Sequence, residues 1–117
     1  MRFFNDAGAS PPRIFVVGKL DEVTETEPND EVRGAQALPR LPVTANGRLG
    51  KVGDVDTFAV TAGAGRWLVC DLQGYALGSP MDPAMKLLDE HGVEVAMSHD
   101  THNLDPLIAY DVTKSGT

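Results

Sequence analysis

Alternating apolar and polar positions, typical of β-strands, recur along the chain from residue 42 onward. The clearest alternation lies in residues 56–62 and 66–72, because successive side chains of an extended chain point to opposite faces. In residues 66–72 it predicts an inward face of Leu68, Cys70 and Leu72, with Trp67 and Val69 facing outward. Further strands are predicted at residues 42–49, 85–88, 93–97 and 107–112.

Turn signals separate these segments at intervals of about 8–12 residues. Asp89-Glu90-His91-Gly92 predicts a tight hairpin turn, since Gly92 can adopt a positive φ. With a β-branched segment at 13–18, the pattern gives about seven short strands and no long amphipathic helix. We therefore predict an all-β chain, folded as an antiparallel β-sandwich of jelly-roll or Greek-key type.

The first 24 residues are less regular than the rest. Ser10-Pro11-Pro12 is a linker signal, and residues 13–18 have strand character. We assign residues 1–24 to a linker or the end of a preceding module, and residues 25–117 to the sandwich. Around the boundary between these two parts, the acidic residues 21–31 predict an irregular loop. Residues 32–38 predict at least one helical turn before Pro39.

Composition narrows the classes of partner. The 117 residues suffice for one domain, and the net charge of −7 comes from 10 basic and 17 acidic residues. This charge argues against nucleic acid, which needs basic patches, and the chain lacks the long apolar run that membrane insertion requires. Cys70 is the only cysteine, so an intrachain disulfide is excluded. The N-terminus has no signal-peptide pattern.

Two acidic clusters carry the candidate chemistry. Glu25-Thr26-Glu27-Pro28-Asn29-Asp30 places four carboxylate or amide side chains around one proline, whose ring fixes the local backbone. Downstream, Asp54 and Asp56 fall on the same side of an extended chain. Ca²⁺ takes six to eight oxygen ligands, which these clusters could supply if the fold joins them. The competing interpretation is a solvated acidic linker.

The order of these motifs resembles the bacterial pre-peptidase C-terminal domain. E-x-E-P-N-D at 25–30 and D-x-D-x-F at 54–58 are the specific pair, and D-E-H-G at 89–92 and S-G-T at 115–117 are weaker matches. The resemblance covers residues 25–117, and the collagen-binding domains of bacterial collagenases are similar modules. It implies a non-catalytic, Ca²⁺-stabilised accessory module of a larger exported protein. The alternative is an extracellular adhesion module that binds collagen-like protein or polysaccharide.

The resemblance also implies a ligand set and a location. Asn46 is expected to contribute a ligand through its backbone carbonyl. The other partners would be domains of the same polypeptide, at an extracellular, cell-surface or periplasmic location. Alternatively, Asn29 and Asp30 cap the helical turn at 32–38. The expected metal ligands are Glu25, Glu27, Asn29, Asp30, Asn46, Asp54 and Asp56.

In the resembled family, a further strand follows the S-G-T motif. Because the chain ends at Thr117, the sandwich is expected to lack its last strand and to expose an unpaired edge. Residues 13–18 are one candidate to fill the gap, and a neighbouring molecule is another.

Catalytic chemistry finds no support in the residue pattern. Ser98, His99 and Asp100 are adjacent, so on a strand they cannot form a relay. His99 and His102 lack a third histidine nearby, which argues against a zinc site. The chain is therefore predicted not to be an enzyme. Trp67, with Tyr75 and Tyr110, could form an aromatic platform, although packing of Trp67 within the protein is the favoured interpretation.

Overall fold

The computed structural model describes residues 1–117, and its regular secondary structure is almost exclusively β. The all-β prediction is thereby confirmed. Ten short strands and two single-turn 3₁₀ helices, at Val32–Gly34 and Tyr75–Leu77, make up the regular structure. The strands are β1 (Phe4–Asn5), β2 (Gly8–Ala9), β3 (Asp21–Thr24), β4 (Gln36–Ala37), β5 (Val43–Asn46), β6 (Phe58–Ala59), β7 (Arg66–Asp71), β8 (Met85–Leu88), β9 (Glu94–Ser98) and β10 (Leu107–Val112).

The strands form five two-stranded ladders, β1–β2, β3–β5, β4–β6, β7–β10 and β8–β9. The β1–β2 ladder is antiparallel, whereas β3–β5 and β4–β6 are parallel. Wholly antiparallel pairing, as predicted, is therefore wrong for these two ladders. Parallel neighbours need a crossover connection, and the segments between the paired strands provide it. The arrangement of the ladders as a sandwich stays a prediction.

The chain divides into two compact units. The first, called the Asp105 unit, comprises residues 1–18, 68–87 and 94–110, and the second, called the acidic unit, comprises residues 19–67, 88–93 and 111–117. In the Asp105 unit, Leu68 and Ile108 are buried apolar side chains. The acidic unit contains both parallel ladders and the whole of the E-x-E-P-N-D and D-x-D-x-F motifs.

Asp105 organises its unit through backbone hydrogen bonds. Its Oδ1 accepts N–H groups of Gly74 at 2.9 Å and Tyr75 at 2.7 Å, and its Oδ2 accepts that of Ala76 at 2.8 Å. Burial opposes ionisation of Asp105, but these three donors outweigh it and hold the pKa of the carboxyl below its usual value. Both oxygens of this buried carboxylate thus accept backbone N–H groups, and these hydrogen bonds stabilise the 3₁₀ turn at Tyr75–Leu77.

Several local predictions are confirmed. β7 has Leu68 buried and Cys70 half-buried, while Val69 is exposed on the alternate face. The hairpin turn between β8 and β9 has Gly92 at φ 79°, with the Gly92 N–H bonded to the Asp89 carbonyl at 2.9 Å. The predicted helical turn near residue 32 exists as a single 3₁₀ turn, after which the chain becomes strand β4.

Three predictions about individual segments are wrong. Residues 13–18 form no strand, and Ile14–Val17 is exposed along its whole length. Asp21–Thr24, predicted as loop because of its acidic residues, is strand β3, since its backbone pairs with β5 and its charged side chains remain in solvent. Trp67, for which packing within the protein was favoured, has 68% of its surface exposed.

We expect Asp105→Ala to lower the melting temperature by several degrees, because it leaves three backbone N–H groups without their acceptor. Asp105→Asn should lose less, since its amide oxygen can still accept from Gly74 and Tyr75. Asp82, which is exposed, provides the control, and Asp82→Ala should melt like the unaltered protein. Thermal unfolding followed by circular dichroism makes the comparison. Equal melting of Asp105→Ala and Asp82→Ala would contradict the role given to Asp105.

Candidate metal centre

Two backbone hydrogen bonds position the acidic motifs within the acidic unit, one by anchoring the first motif to β5 and one by joining the two motifs. The Glu25 N–H donates to the Asn46 carbonyl at 2.9 Å, which extends the β3–β5 ladder beyond Thr24. The Thr57 N–H donates to the Asn29 carbonyl at 3.0 Å, which ties the first motif to the start of β6. The main chain therefore fixes both motifs side by side, independently of their charges.

Five carboxylates meet at this place in two overlapping clusters. Glu25, Glu27 and Asp56 form the first cluster, and their ligand oxygens lie within 4.8 Å of one another. Glu27, Asp30 and Asp54 form the second on the same criterion, so Glu27 belongs to both. Five of the seven predicted ligands thus converge. Asn29 lies with them as the sixth, because its backbone is hydrogen-bonded to the Glu27 carboxylate and to the Thr57 N–H.

Unpartnered buried atoms are concentrated at the clusters. Asn29 is fully buried, yet neither its side-chain oxygen nor its side-chain nitrogen has a hydrogen-bond partner within the protein. One carboxylate oxygen on each of four clustered residues is also buried without a hydrogen bond, although that of Asp54 lies 3.4 Å from the Lys51 ammonium; the four residues are Glu25, Asp30, Asp54 and Asp56. Native proteins pair the large majority of their buried polar atoms. This collection of oxygens therefore fits a bound cation.

The type of donor favours a hard cation. The clusters offer carboxylate and amide oxygens, without histidine or cysteine among them. Such oxygens suit Ca²⁺ or Mg²⁺, and Ca²⁺ accepts six to eight of them in flexible geometry whereas Mg²⁺ demands a strict octahedron. The five carboxylates, two from Glu and three from Asp, are on flexible side chains and therefore suit Ca²⁺ better than Mg²⁺.

The second cluster already has a positive neighbour. The Lys51 ammonium lies 2.8 Å from Asp30 Oδ2 and 3.4 Å from Asp54 Oδ1, and its hydrogen bond to Asp30 raises the pKa of Lys51. Asp54 also accepts the N–H of Gly50, which is the main reason why the pKa of its carboxyl is lowered. The second cluster is therefore partly neutralised by the protein itself.

The first cluster lacks any such compensation. Burial is the main cause that raises the pKa of Asp56 from 3.8 to about 6, followed by a hydrogen bond to Glu25 and the charges of Glu25, Asp54 and Glu27. The Arg48 side chain takes no part, since only its backbone N–H contacts Glu25, at 2.7 Å. A cation is thus most strongly favoured beside Glu25, Glu27 and Asp56.

Gly47 allows the backbone to approach this cluster. A Cβ atom at position 47 would lie 2.7 Å from Asp56 Oδ2 and 2.8 Å from Glu25 Oε2, which is closer than real contacts permit. Any larger residue would therefore push the two carboxylates out of place. Gly47 and Lys51 were both missed by the sequence analysis; the Asn46-Gly47 step and the position of Lys51 three residues before Asp54 were the only signals.

Asn46 lies at the end of β5, and both its carbonyl and its side-chain amide form hydrogen bonds within the protein. Its carbonyl accepts from Glu25, and its side-chain amide donates to Glu22 Oε2 at 3.1 Å, outside both clusters. The capping alternative for Asn29 and Asp30 is wrong, because the 3₁₀ turn is preceded by Glu31 and no side chain caps it.

The remaining polar candidates do not assemble into a site. Ser98 Oγ pairs with the Thr101 hydroxyl at 2.7 Å, while His99 Nδ1 pairs with Asp100 at 2.8 Å. Ser98 and His99 thus have different partners, and the His102 backbone is bonded to Asp105. None of the clusters with metal-binding geometry contains a histidine.

Asp56→Asn should stabilise the chelator-treated protein at about pH 8, because it mimics the protonated carboxyl. The folded pKa of Asp56, about 6, lies above its ordinary 3.8, so its contribution is complete below 3.8 and is lost as pH rises through 6. The gain from the substitution should therefore vanish at about pH 5. Melting curves of both proteins across this range provide the measurement. A gain that is independent of pH would contradict the raised pKa.

Comparison with known proteins adds no family to this geometry. No protein-family model matches the chain, and neither a curated protein nor a solved structure does. The likeness to the pre-peptidase C-terminal domain therefore stays a prediction based on the sequence motifs. None of the helical segments is long and apolar enough to cross a membrane.

Proposed function

We propose that this chain is a non-catalytic accessory module of a larger exported protein, and that Ca²⁺ stabilises its fold. The observation that carries the proposal is the convergence of five carboxylates around a fully buried Asn29 whose amide oxygen has no partner. A solvated acidic linker, the competing interpretation, would leave these oxygens in water. The convergence of the five carboxylates, and the burial of one oxygen on each of four of them, support binding of a cation instead.

Ca²⁺ would act by removing the repulsion within the acidic unit. Without a cation, Glu25, Glu27 and Asp56 hold like charges close together, at a cost in folding free energy. A cation shared by these residues would link the segment that follows β3 to the segment that precedes β6. Because these segments flank both parallel ladders, binding would strengthen the whole acidic unit.

The environment of an exported protein suits such a site. Extracellular modules bind Ca²⁺ with Kd values of about 10⁻⁴–10⁻³ M, where the cation is plentiful. The module would then become fully stable only after export. Together with the resemblance to the pre-peptidase C-terminal domain, this supports an extracellular, surface or periplasmic location and attachment to other domains of the same polypeptide, whose folding, spacing or targeting it would assist.

Adhesion to collagen-like protein or polysaccharide is the second candidate function. The exposure of Trp67, at 68% of its surface, favours it, because an open aromatic ring is a common contact for such ligands. Tyr75 is also exposed, but Tyr110 is half-buried on β10, so a three-membered aromatic platform is not supported.

Ca²⁺ at about 10 mM, roughly a hundredfold excess over a Kd of about 10⁻⁴ M, should raise the melting temperature relative to chelator. A ligand that binds only the folded state adds about 2.7 kcal/mol at a hundredfold excess over Kd. For a domain of this size that corresponds to roughly ten degrees. Thermal melts with Ca²⁺, Mg²⁺ and chelator measure the effect, and coincident melts in all three would exclude the site.

Glu27→Gln should remove most of this Ca²⁺-induced shift, since Glu27 belongs to both clusters. Glu31→Gln is the matched control, because Glu31 is an exposed acidic neighbour outside the clusters and should keep the shift. Gly47→Ala should weaken the response without removing any ligand, since its methyl group displaces Glu25 and Asp56. If Glu27→Gln and Glu31→Gln respond to Ca²⁺ equally, the cation binds elsewhere.

The adhesion candidate predicts that collagen-like peptide or polysaccharide changes the fluorescence of Trp67, the only tryptophan. Trp67→Ala should then lose binding by about tenfold or more while keeping the Ca²⁺ response. Titrations followed by fluorescence and by calorimetry test this. Binding that is unchanged in Trp67→Ala would remove the reason for preferring adhesion.

A further inference from the structure

Lys51 is the one basic residue whose side chain pairs with a carboxylate of the acidic clusters. Its ammonium lies 2.8 Å from Asp30 Oδ2 and 3.4 Å from Asp54 Oδ1, so it contacts both aspartates of the second cluster. The Asp54 side chain is only 2% exposed, which limits screening of this charge by water. Both aspartates are therefore already paired with a cation, the ammonium of the lysine.

A turn of the main chain holds Lys51 at this place. The Asp54 N–H donates to the Lys51 carbonyl at 3.2 Å, and the Lys51 N–H donates to Asp54 Oδ2 at 3.3 Å. Gly53 within the turn has φ 79°, a value that glycine adopts without strain. The backbone thus keeps the base of the lysine side chain beside Asp54, and only the four-carbon stem has to be ordered when the ammonium reaches the cluster.

The two clusters differ in the oxygens that remain open. In the first cluster, Glu25 Oε2 and Asp56 Oδ1 are buried with neither a hydrogen bond nor an ion pair. In the second cluster, Asp30 Oδ2 accepts from the Lys51 ammonium, and Asp54 Oδ2 accepts from backbone N–H groups. Fewer carboxylate oxygens are thus available to a metal ion in the second cluster than in the first.

A divalent cation in the second cluster would meet the Lys51 ammonium at close range. Like charges a few ångströms apart repel strongly where little water lies between them. The lysine would have to swing into solvent, which its 60% exposure permits, but Asp30 and Asp54 would then lose their ion pairs. Repulsion and the loss of these pairs both oppose a metal ion at this cluster, and neither operates at the first.

We propose that Lys51 is a built-in counter-ion that competes with metal for the second cluster, so that the acidic centre takes a single divalent cation. That cation belongs beside Glu25, Glu27 and Asp56. The inference rests on the proposed function, since it requires the acidic centre to bind a cation. Lys51 stabilises the second cluster when the cation is absent and sets the number of cations when it is present. An uncharged residue at position 51 opens the second cluster to a second cation.

Lys51→Met tests this role, because it keeps an unbranched side chain and removes the charge. Equilibrium dialysis against Ca²⁺ from about 10⁻⁵ to 10⁻² M, followed by metal analysis, counts the ions bound per chain. The unaltered protein should bind one Ca²⁺ and Lys51→Met two. Lys51→Arg keeps the charge and should bind one. Lys114→Met is the matched control and should also bind one, because the Lys114 ammonium lies 2.8 Å from Glu90, outside both clusters.

Thermal melting supplies a second readout of the same competition. In chelator, Lys51→Met should melt below Lys114→Met, because Asp30 and Asp54 lose their counter-charge in the first variant only. Saturating Ca²⁺ should close this gap, since a second cation replaces the ammonium. A Lys51→Met protein that unfolds in chelator is compared at saturating Ca²⁺, and Lys51→Gln replaces it if it does not fold there.

The ion counts distinguish the two levels of the hypothesis. Absence of Ca²⁺ binding by the unaltered protein and by Lys51→Met would reject the proposed function, and the role of Lys51 with it. One ion bound by both proteins would leave the proposed function intact and overturn the role of Lys51 alone. Two ions bound by the unaltered protein would overturn that role as well, because the lysine would then not restrict the centre.

Discussion

The close approach of carboxylates around Asn29 is the constraint on which the acidic unit depends. The main-chain hydrogen bond from Thr57 to Asn29 joins the two acidic motifs, and that from Glu25 to Asn46 anchors the first motif to β5. The backbone therefore holds the carboxylates near one another despite their mutual repulsion. The raised pKa of Asp56 expresses this repulsion together with burial. A cation is the ligand that would turn the same arrangement into a source of stability.

Asp105 illustrates the opposite way to bury a carboxylate. Its two oxygens accept three backbone N–H groups, and its pKa is lowered rather than raised. The carboxylate is satisfied by the protein and needs no other partner. Asp56, by contrast, has a buried Oδ1 without any donor and neighbours of the same charge. The difference in hydrogen-bond donors, more than any difference in exposure, distinguishes Asp105, a structural acid, from Asp56, a proposed ligand.

Much of the apolar surface faces solvent. Trp67 and Val69 cover the outer side of β7, and Ile14–Val17 is open along its length. Few side chains are fully enclosed, among them Asn29 and Pro106. Exposed apolar side chains of this kind are typical of surfaces that contact other protein. This agrees with the proposed module that works attached to further protein, and it would make the proposed cation more important to stability than in a domain with a large core.

The sequence by itself determined the β-class, the alternation on β7, the hairpin turn at Asp89–Gly92 and the identity of the acidic residues that converge. These features depend on side-chain period, turn residues and local charge, all of which are readable in short windows. The tertiary structure decided the rest. Parallel pairing of β3 with β5 depends on hydrogen bonds between backbone groups that are distant in sequence. The acidic residues of Asp21–Thr24 give no local pattern that predicts this pairing.

The same distinction applies to the site and to the surface. Lys51 and Gly47 became part of the acidic centre through the approach of separate segments, so no local motif marks them. The exposure of Trp67 and of Ile14–Val17 also required the fold, because an apolar side chain is buried only where another element covers it. Sequence patterns determine which residues prefer to be covered, whereas only the tertiary structure determines which of them find a partner.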